Sequence, residues 1–140
     1  MFNRHLSQKI VGLAKQFPVI AITGPRQSGK TTLAQMIFEK KPYVNLERPD
    51  LMEYALKDPQ GFLAEYPKGA ILDEIQRTPQ LFSYIQVLVD QKQKPGMYIL
   101  TGSQQFGMME QISQSLAGRV AILNLLPLSF EELKGTPQEL

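Results

Sequence analysis

Between an apolar run, Val19-Ile20-Ala21-Ile22, and a helical-looking segment through Met36, Ile37 and Phe38 lies Gly24-Pro25-Arg26-Gln27-Ser28-Gly29-Lys30-Thr31. A G-x-x-x-x-G-K-T stretch in that setting commits the chain to a strand, a tight loop and a helix in immediate succession. Main-chain N–H groups of such a loop wrap an anion, and the first turn of the helix adds the positive end of its dipole. Glycine is needed at 24 and 29 because the loop takes backbone angles closed to residues with a Cβ and because phosphate oxygens must approach the main chain. Lys30 is then expected to reach β- and γ-phosphates and the Thr31 hydroxyl to ligate Mg²⁺. The expected phosphate-binding set runs from Gly24 through Pro25, Arg26, Gln27, Ser28, Gly29, Lys30 and Thr31 to Thr32.

The rest of the chain has to supply the sheet and helices around this loop. Its 140 residues suit one domain with a single core. Apolar residues at 43% and charged residues at 20% give it the make-up of an ordinary globular protein. A formal net charge of +2 argues for neither a nucleic-acid nor a membrane partner. The absence of cysteine excludes a disulfide framework, a thiolate metal site and a thiol nucleophile. The opening residues form no signal-peptide core, and no run reaches membrane-spanning length, so the expectation is a cytoplasmic protein without a membrane partner.

Periodicity places an amphipathic helix over residues 4 to 16 and a buried strand over 19 to 23, followed by a helix over about 30 to 39 that stops before Pro42. Tyr43-Val44-Asn45-Leu46 reads as a short strand. A helical region beginning at Pro49-Asp50 is interrupted at Asp58-Pro59 and resumes through Phe62, Leu63 and Tyr66. Ala70-Ile71-Leu72-Asp73-Glu74 reads as a third strand ending in two carboxylates, followed by a helix from about Pro79 to Gln91. A fourth strand is expected over 97 to 101 with Gly102-Ser103 at its tip, a helix over about 105 to 117 capped by Gly118, and a fifth strand from Val120 to Leu126. Ser129-Phe130-Glu131-Glu132 reads as a capping box opening one more helix. Strands alternating with helices imply βαβ units and a mostly parallel sheet covered on both faces. Ligands of such sheets bind beyond the carboxyl ends of the strands, where Gly24, Asp73, Glu74 and Ser103 fall.

Phosphoryl transfer needs charge neutralisation and positioning, so a cation, a metal ligand and a water-orienting group should converge. Asp73, after three apolar residues, occupies the Walker B position and is the expected second Mg²⁺ ligand. Glu74 is placed to take a proton from an attacking water. Ser103, with Thr101 as the second choice, is a candidate donor to the γ-phosphate or the water, although Thr-Gly-Ser is also ordinary turn chemistry. Arg119 is a candidate to reach a neighbouring subunit's nucleotide in a homo-oligomer; the alternative is a surface arginine favoured by a helix C-terminus. Asn45 has two readings, a residue that holds Glu74 or one that completes a strand-end hydrogen bond.

On these residues the chain resembles the AAA-type P-loop ATPase domain of many bacterial and archaeal proteins, where it usually precedes a C-terminal domain of unknown function. The resemblance rests on the Gly24 to Leu33 stretch, on Ile71-Leu72-Asp73-Glu74-Ile75-Gln76, on Leu100-Thr101-Gly102-Ser103, on Ser115-Leu116-Ala117-Gly118-Arg119 and on Leu126 to Leu133. It implies a P-loop α/β/α sandwich with strand order 5-1-4-3-2, ATP and Mg²⁺ as cofactors, Ser103 near the sensor-1 position and Arg119 near the arginine-finger position. Relative to that family, residues 1–140 are expected to form the ATPase core alone, without the helical lid and the C-terminal domain. The functional expectation is Mg²⁺-ATP binding with hydrolysis that drives remodelling of a protein or nucleic-acid partner. Two rivals are a P-loop kinase acting on a small metabolite and a non-hydrolysing nucleotide-gated module. No Asn-Lys-x-Asp tetrad is present, which argues against GTP.

Overall fold

The computed structural model describes residues 4–25, 28–103, 110, 112 and 114–125. Its centre is β1 (Val19–Thr23), whose five residues are all buried. On either side of β1 run β4 (Tyr98–Gly102) and β5 (Val120–Asn124), and beyond β4 lie β3 (Ala70–Asp73) and β2 (Tyr43–Asn45). All pairings are parallel, in the order β2-β3-β4-β1-β5, which read from the other edge is the expected 5-1-4-3-2.

Alternation along the strands divides the core between the two faces of the sheet. Val19, Ala21, Val44, Ala70, Leu72, Tyr98 and Leu100 pack on one side with α3 (Pro49–Lys57), α4 (Pro59–Ala64) and α5 (Leu81–Lys92). Ile20, Ile22, Ile71, Ile99, Ala121 and Leu123 pack on the other with α1 (Arg4–Ala14) and α2 (Lys30–Ile37). The near-continuous apolar runs of β1, β3 and β4 follow from burial on both faces. At the edge, β5 alternates, leaving Ile122 38% exposed.

Local chemistry sets the boundaries. The helical region after β2 divides at Asp58, whose carboxylate accepts from Gly61 N at 3.0 Å, while Pro49 and Pro59 each open a helix at a position where a missing N–H costs nothing. Between α4 and the sheet, Phe62 is fully buried and meets both Tyr54 and Tyr66 edge-on with centroids 5.5 Å apart. Helix α2 stops at Ile37, two residues short of the expected end, and α5 starts at Leu81 because Pro79 and Gln80 lie in the preceding turn. Strand β3 ends at Asp73 because Glu74 turns to φ 60°, ψ 46°. Within the expected helix over 105 to 117, Ile112 and Leu116 are buried and Leu116 N donates to Ile112 O at 2.8 Å. The capping box at Ser129 to Glu132 lies outside the described residues, as do Arg26 and Gln27.

Candidate functional site

Because every strand runs the same way, the carboxyl ends of β1, β3 and β4 share one rim. The loop leaves β1 at Gly24, whose N–H donates to Gly102 O at 3.3 Å. A Cβ at Gly24 would sit 2.8 Å from Leu125 O and 2.9 Å from Ser28 Oγ, so only glycine lets the loop pass so close to β5. Gly29, at φ 83°, is the N-cap of α2 and has no side chain to cap it. The first-turn amides of a helix have no intrahelical acceptor, which is the arrangement a phosphate can use. Ser28 Oγ is buried and has no partner among the described residues. Lys30, only 5% exposed, donates from Nζ to Pro25 O at 3.4 Å and has no acidic partner among the described residues. Thr32 is exposed on the first turn of α2.

Asp73 is the hub of the rim. Its Oδ1 accepts from Thr31 Oγ1 at 3.1 Å and from Thr101 Oγ1 at 2.6 Å, and its Oδ2 accepts a short hydrogen bond from the Tyr43 hydroxyl. Each hydrogen bond to a charged group contributes roughly 1.5–3 kcal/mol, so three are of the size needed to offset the several kcal/mol a carboxylate loses on leaving water. Burial, then the hydrogen bond to Asp73 and that residue's charge, push the Tyr43 phenol well above its ordinary range and keep it a donor. Thr101 is fully buried and holds Asp73, so its hydroxyl is not directed outward.

Glu74 adopts the left-handed conformation that costs a residue with a Cβ about 1–2 kcal/mol. The turn feeds a 3₁₀ segment, Ile75–Arg77, pinned by fully buried Ile75 and by Thr78, whose N–H and hydroxyl both donate to Ile75 O. From this segment Gln76 Nε2 donates to Glu74 Oε1 and, at 3.1 Å, to Ser103 Oγ. Glu74 and Ser103 are thus brought together through Gln76. Asn45 Oδ1 instead accepts from Glu47 N at 2.9 Å, the strand-end reading of that residue. Arg119 lies apart from the rim. Its carbonyl accepts from Val19 N where β1 begins, and its guanidinium grips Asp90 of α5 at 2.6 and 2.9 Å. That hydrogen bond, with the charge of its partner, holds Asp90 below the usual carboxylate range and raises Arg119. Arg119 and the P-loop therefore occupy opposite ends of the sheet within one chain.

Tyr43 and Gln76 were not among the residues expected at the site. For Tyr43 a signal existed, since the order 5-1-4-3-2 sets its strand beside Asp73. For Gln76 there was none, because nothing local marks Glu74 for a left-handed turn. Among the described residues no three His, Cys, Asp or Glu side chains cluster as for a metal. One hydroxyl and one carboxylate, Thr31 and Asp73, are nevertheless the hard oxygen set that Mg²⁺ takes together with phosphate oxygens. No helix among the described residues is long and apolar enough to cross a membrane.

A profile of the AAA domain family matches residues 16–134. Uncharacterized proteins of Mycobacterium tuberculosis and Mycobacterium bovis are each 34% identical over 117 residues, which cover 83% of this chain and 26% of those proteins. The chain thus spans about a quarter of the length of these curated relatives. Among solved structures, the Walker-type ATPase PABY2304 of Pyrococcus abyssi superposes with a TM-score of 0.61 at 17% identity, over 94% of this chain and 55% of that one. AMPPCP-bound DnaA from Aquifex aeolicus gives 0.58 at 18% identity, over 97% and 51%. The DnaC helicase loader gives 0.53 at 13%, over 89% and 92%. At such identities these likenesses establish the P-loop ATPase fold.

Proposed function

Because this chain belongs to the AAA domain family, we propose that its P-loop binds Mg²⁺-ATP and that the rim of β3 hydrolyses it to remodel a protein or nucleic-acid partner. The observation that carries this reading is the hydrogen bond from Thr31 to Asp73, at the first turn of α2 that also bears Lys30. It joins a hydroxyl and a carboxylate at the rim where a triphosphate's outer end would lie, and Lys30 precedes Thr31 on the same helix. The match to a structure described as AMPPCP-bound supports the choice of adenine nucleotide. Main-chain amides of the loop beyond Pro25 hold the phosphates, with Lys30 Nζ leaving Pro25 O for a phosphate oxygen, and Thr32 lines the mouth of the site. Thr31 and Asp73 would hold the metal, whose positive charge would offset the negative charge of the phosphates. Glu74 accepts a proton from water as that water's oxygen bonds the γ-phosphorus, the bond to the bridging oxygen breaks, and ADP and phosphate leave. Ser103 donates to the γ-phosphate. Residues 1–140 act as the ATPase core, and Arg119 serves the nucleotide of a second copy.

Titration with a fluorescent ATP analogue and single-turnover phosphate release test this reading together. Lys30→Ala should weaken nucleotide binding at least about tenfold, while Glu74→Gln should keep the affinity and lose about a hundredfold or more in rate. An unaltered rate in Glu74→Gln removes Glu74 from the mechanism, and no nucleotide binding by the wild type ends the proposal. Transfer of the γ-phosphate to an added small-molecule acceptor in place of water would make the protein a kinase.

A further inference from the structure

One side chain at the rim has no part in the reading above. Gln76 spends both protons of one amide nitrogen, on Glu74 Oε1 and on Ser103 Oγ, while its Oε1 is buried with no partner among the described residues. A carboxylate only accepts, so the amide must present its NH₂ group to Glu74, and that same nitrogen then faces Ser103. The pose is kept by two donor contacts while the acceptor meets none of the described residues, the reverse of what packing alone would select. The segment bearing Gln76 is anchored on both sides by buried Ile75 and Thr78, so it cannot drift to follow its partners.

We infer that Gln76 is a positioning residue that joins Glu74 and Ser103 into one unit and fixes the hydrogen-bonding polarity of both. The inference rests on the proposed hydrolysis. Ser103 Oγ accepts from Gln76, so its own hydrogen, given to none of the described residues, is committed outward as a donor to a phosphate oxygen. Glu74 is held by Oε1, so Oε2 remains the acceptor for water. Anything that pulls on Ser103 also pulls, through one amide, on the group that takes the proton. A side chain without two donors leaves the Ser103 hydroxyl free to rotate and Glu74 free to swing.

The side-chain amide of Gln76 gives a readout independent of turnover. In ¹⁵N-resolved spectra its proton pair is identified by its disappearance in Gln76→Met. One proton should shift and exchange faster in Ser103→Ala and the other in Glu74→Ala; a pair that responds to neither substitution overturns the bridge. In steady-state assays Gln76→Met should lower kcat by about tenfold to a hundredfold with KM within about threefold, and adding Ser103→Ala should cost much less than the product of the single losses. Gln76→Glu, which keeps the size but cannot donate when ionised, should behave alike and serves if Gln76→Met folds poorly. Full kcat in a folded Gln76 variant overturns the positioning role. A wild type that binds no nucleotide sinks the hydrolytic reading instead, while the amide spectra still judge the bridge.

Discussion

Thr31 and Asp73 are 42 positions apart in the chain and 3.1 Å apart in the fold, hydroxyl to carboxylate. That distance is set by the sheet, because α2 starts where β1 ends and β3 finishes beside β4 on the same rim. The same Asp73 oxygen also accepts from Thr101, and the other oxygen accepts from Tyr43. The carboxylate is therefore oriented by three hydroxyls on three separate elements before any ligand arrives.

On the proposed reading, the Tyr43 hydroxyl, which donates to Asp73 Oδ2, would compete there with a cation. Tyr43→Phe should lower the Mg²⁺ concentration that half-saturates nucleotide binding by about two- to fivefold, since a hydroxyl donor to that oxygen is lost and nothing replaces it. Titrating Mg²⁺ at fixed ATP analogue measures this, and an increased Mg²⁺ requirement would show that Tyr43 assists the metal.

Arg119 is engaged by Asp90 in the isolated chain. Hydrolysis per molecule should rise with protein concentration in the wild type and stay flat in Arg119→Ala. Asp90→Ala frees the guanidinium and should move the rise to lower concentration. A rise that persists in Arg119→Ala would leave that arginine a surface partner of Asp90 and nothing more.

Phe62 fills the space between α4 and the sheet, touching two tyrosine rings. Phe62→Ala should destabilise the protein by about 3–5 kcal/mol in denaturant unfolding, because a fully buried ring is lost from the core. A loss under about 1 kcal/mol would mean that the site repacks.

Tyr98 is 1% exposed, and burial pushes its phenol up to about 12 from an ordinary 10.0. The unfolded chain releases this proton near pH 10 while the folded chain keeps it, so stability is level below that pH and falls as pH rises toward 12. One such group gives a slope of at most about 1.4 kcal/mol per pH unit. Urea midpoints across this window should fall less steeply in Tyr98→Phe, with a residual slope from Tyr43, Tyr54 and Tyr66, whose phenols are also raised. Identical slopes would mean that Tyr98 ionises without unfolding.

Much of this architecture was legible because its causes are local. Gly24 and Gly29 bracket the loop, Pro59 divides α3 from α4, and the apolar runs of β1, β3 and β4 announce strands covered on both faces. Strand order came from likeness to a family, since periodicity carries no record of which strands lie side by side. Contacts made by side chains across the rim were less readable. Thr101, a second-choice outward donor on sequence, instead serves Asp73, because the β3–β4 register sets the two side by side. Asn45 has the place in sequence to partner Glu74, yet the left-handed turn at that glutamate hands it to Gln76.

The all-parallel sheet makes the molecule polar from end to end, with the loop at Gly24 on one rim and Arg119 on the other. Two copies that meet through these ends cannot be related by a twofold axis, since each contributes a different surface. Such a contact propagates in one direction, and the rotation from one copy to the next decides between a closed ring and an open helical array.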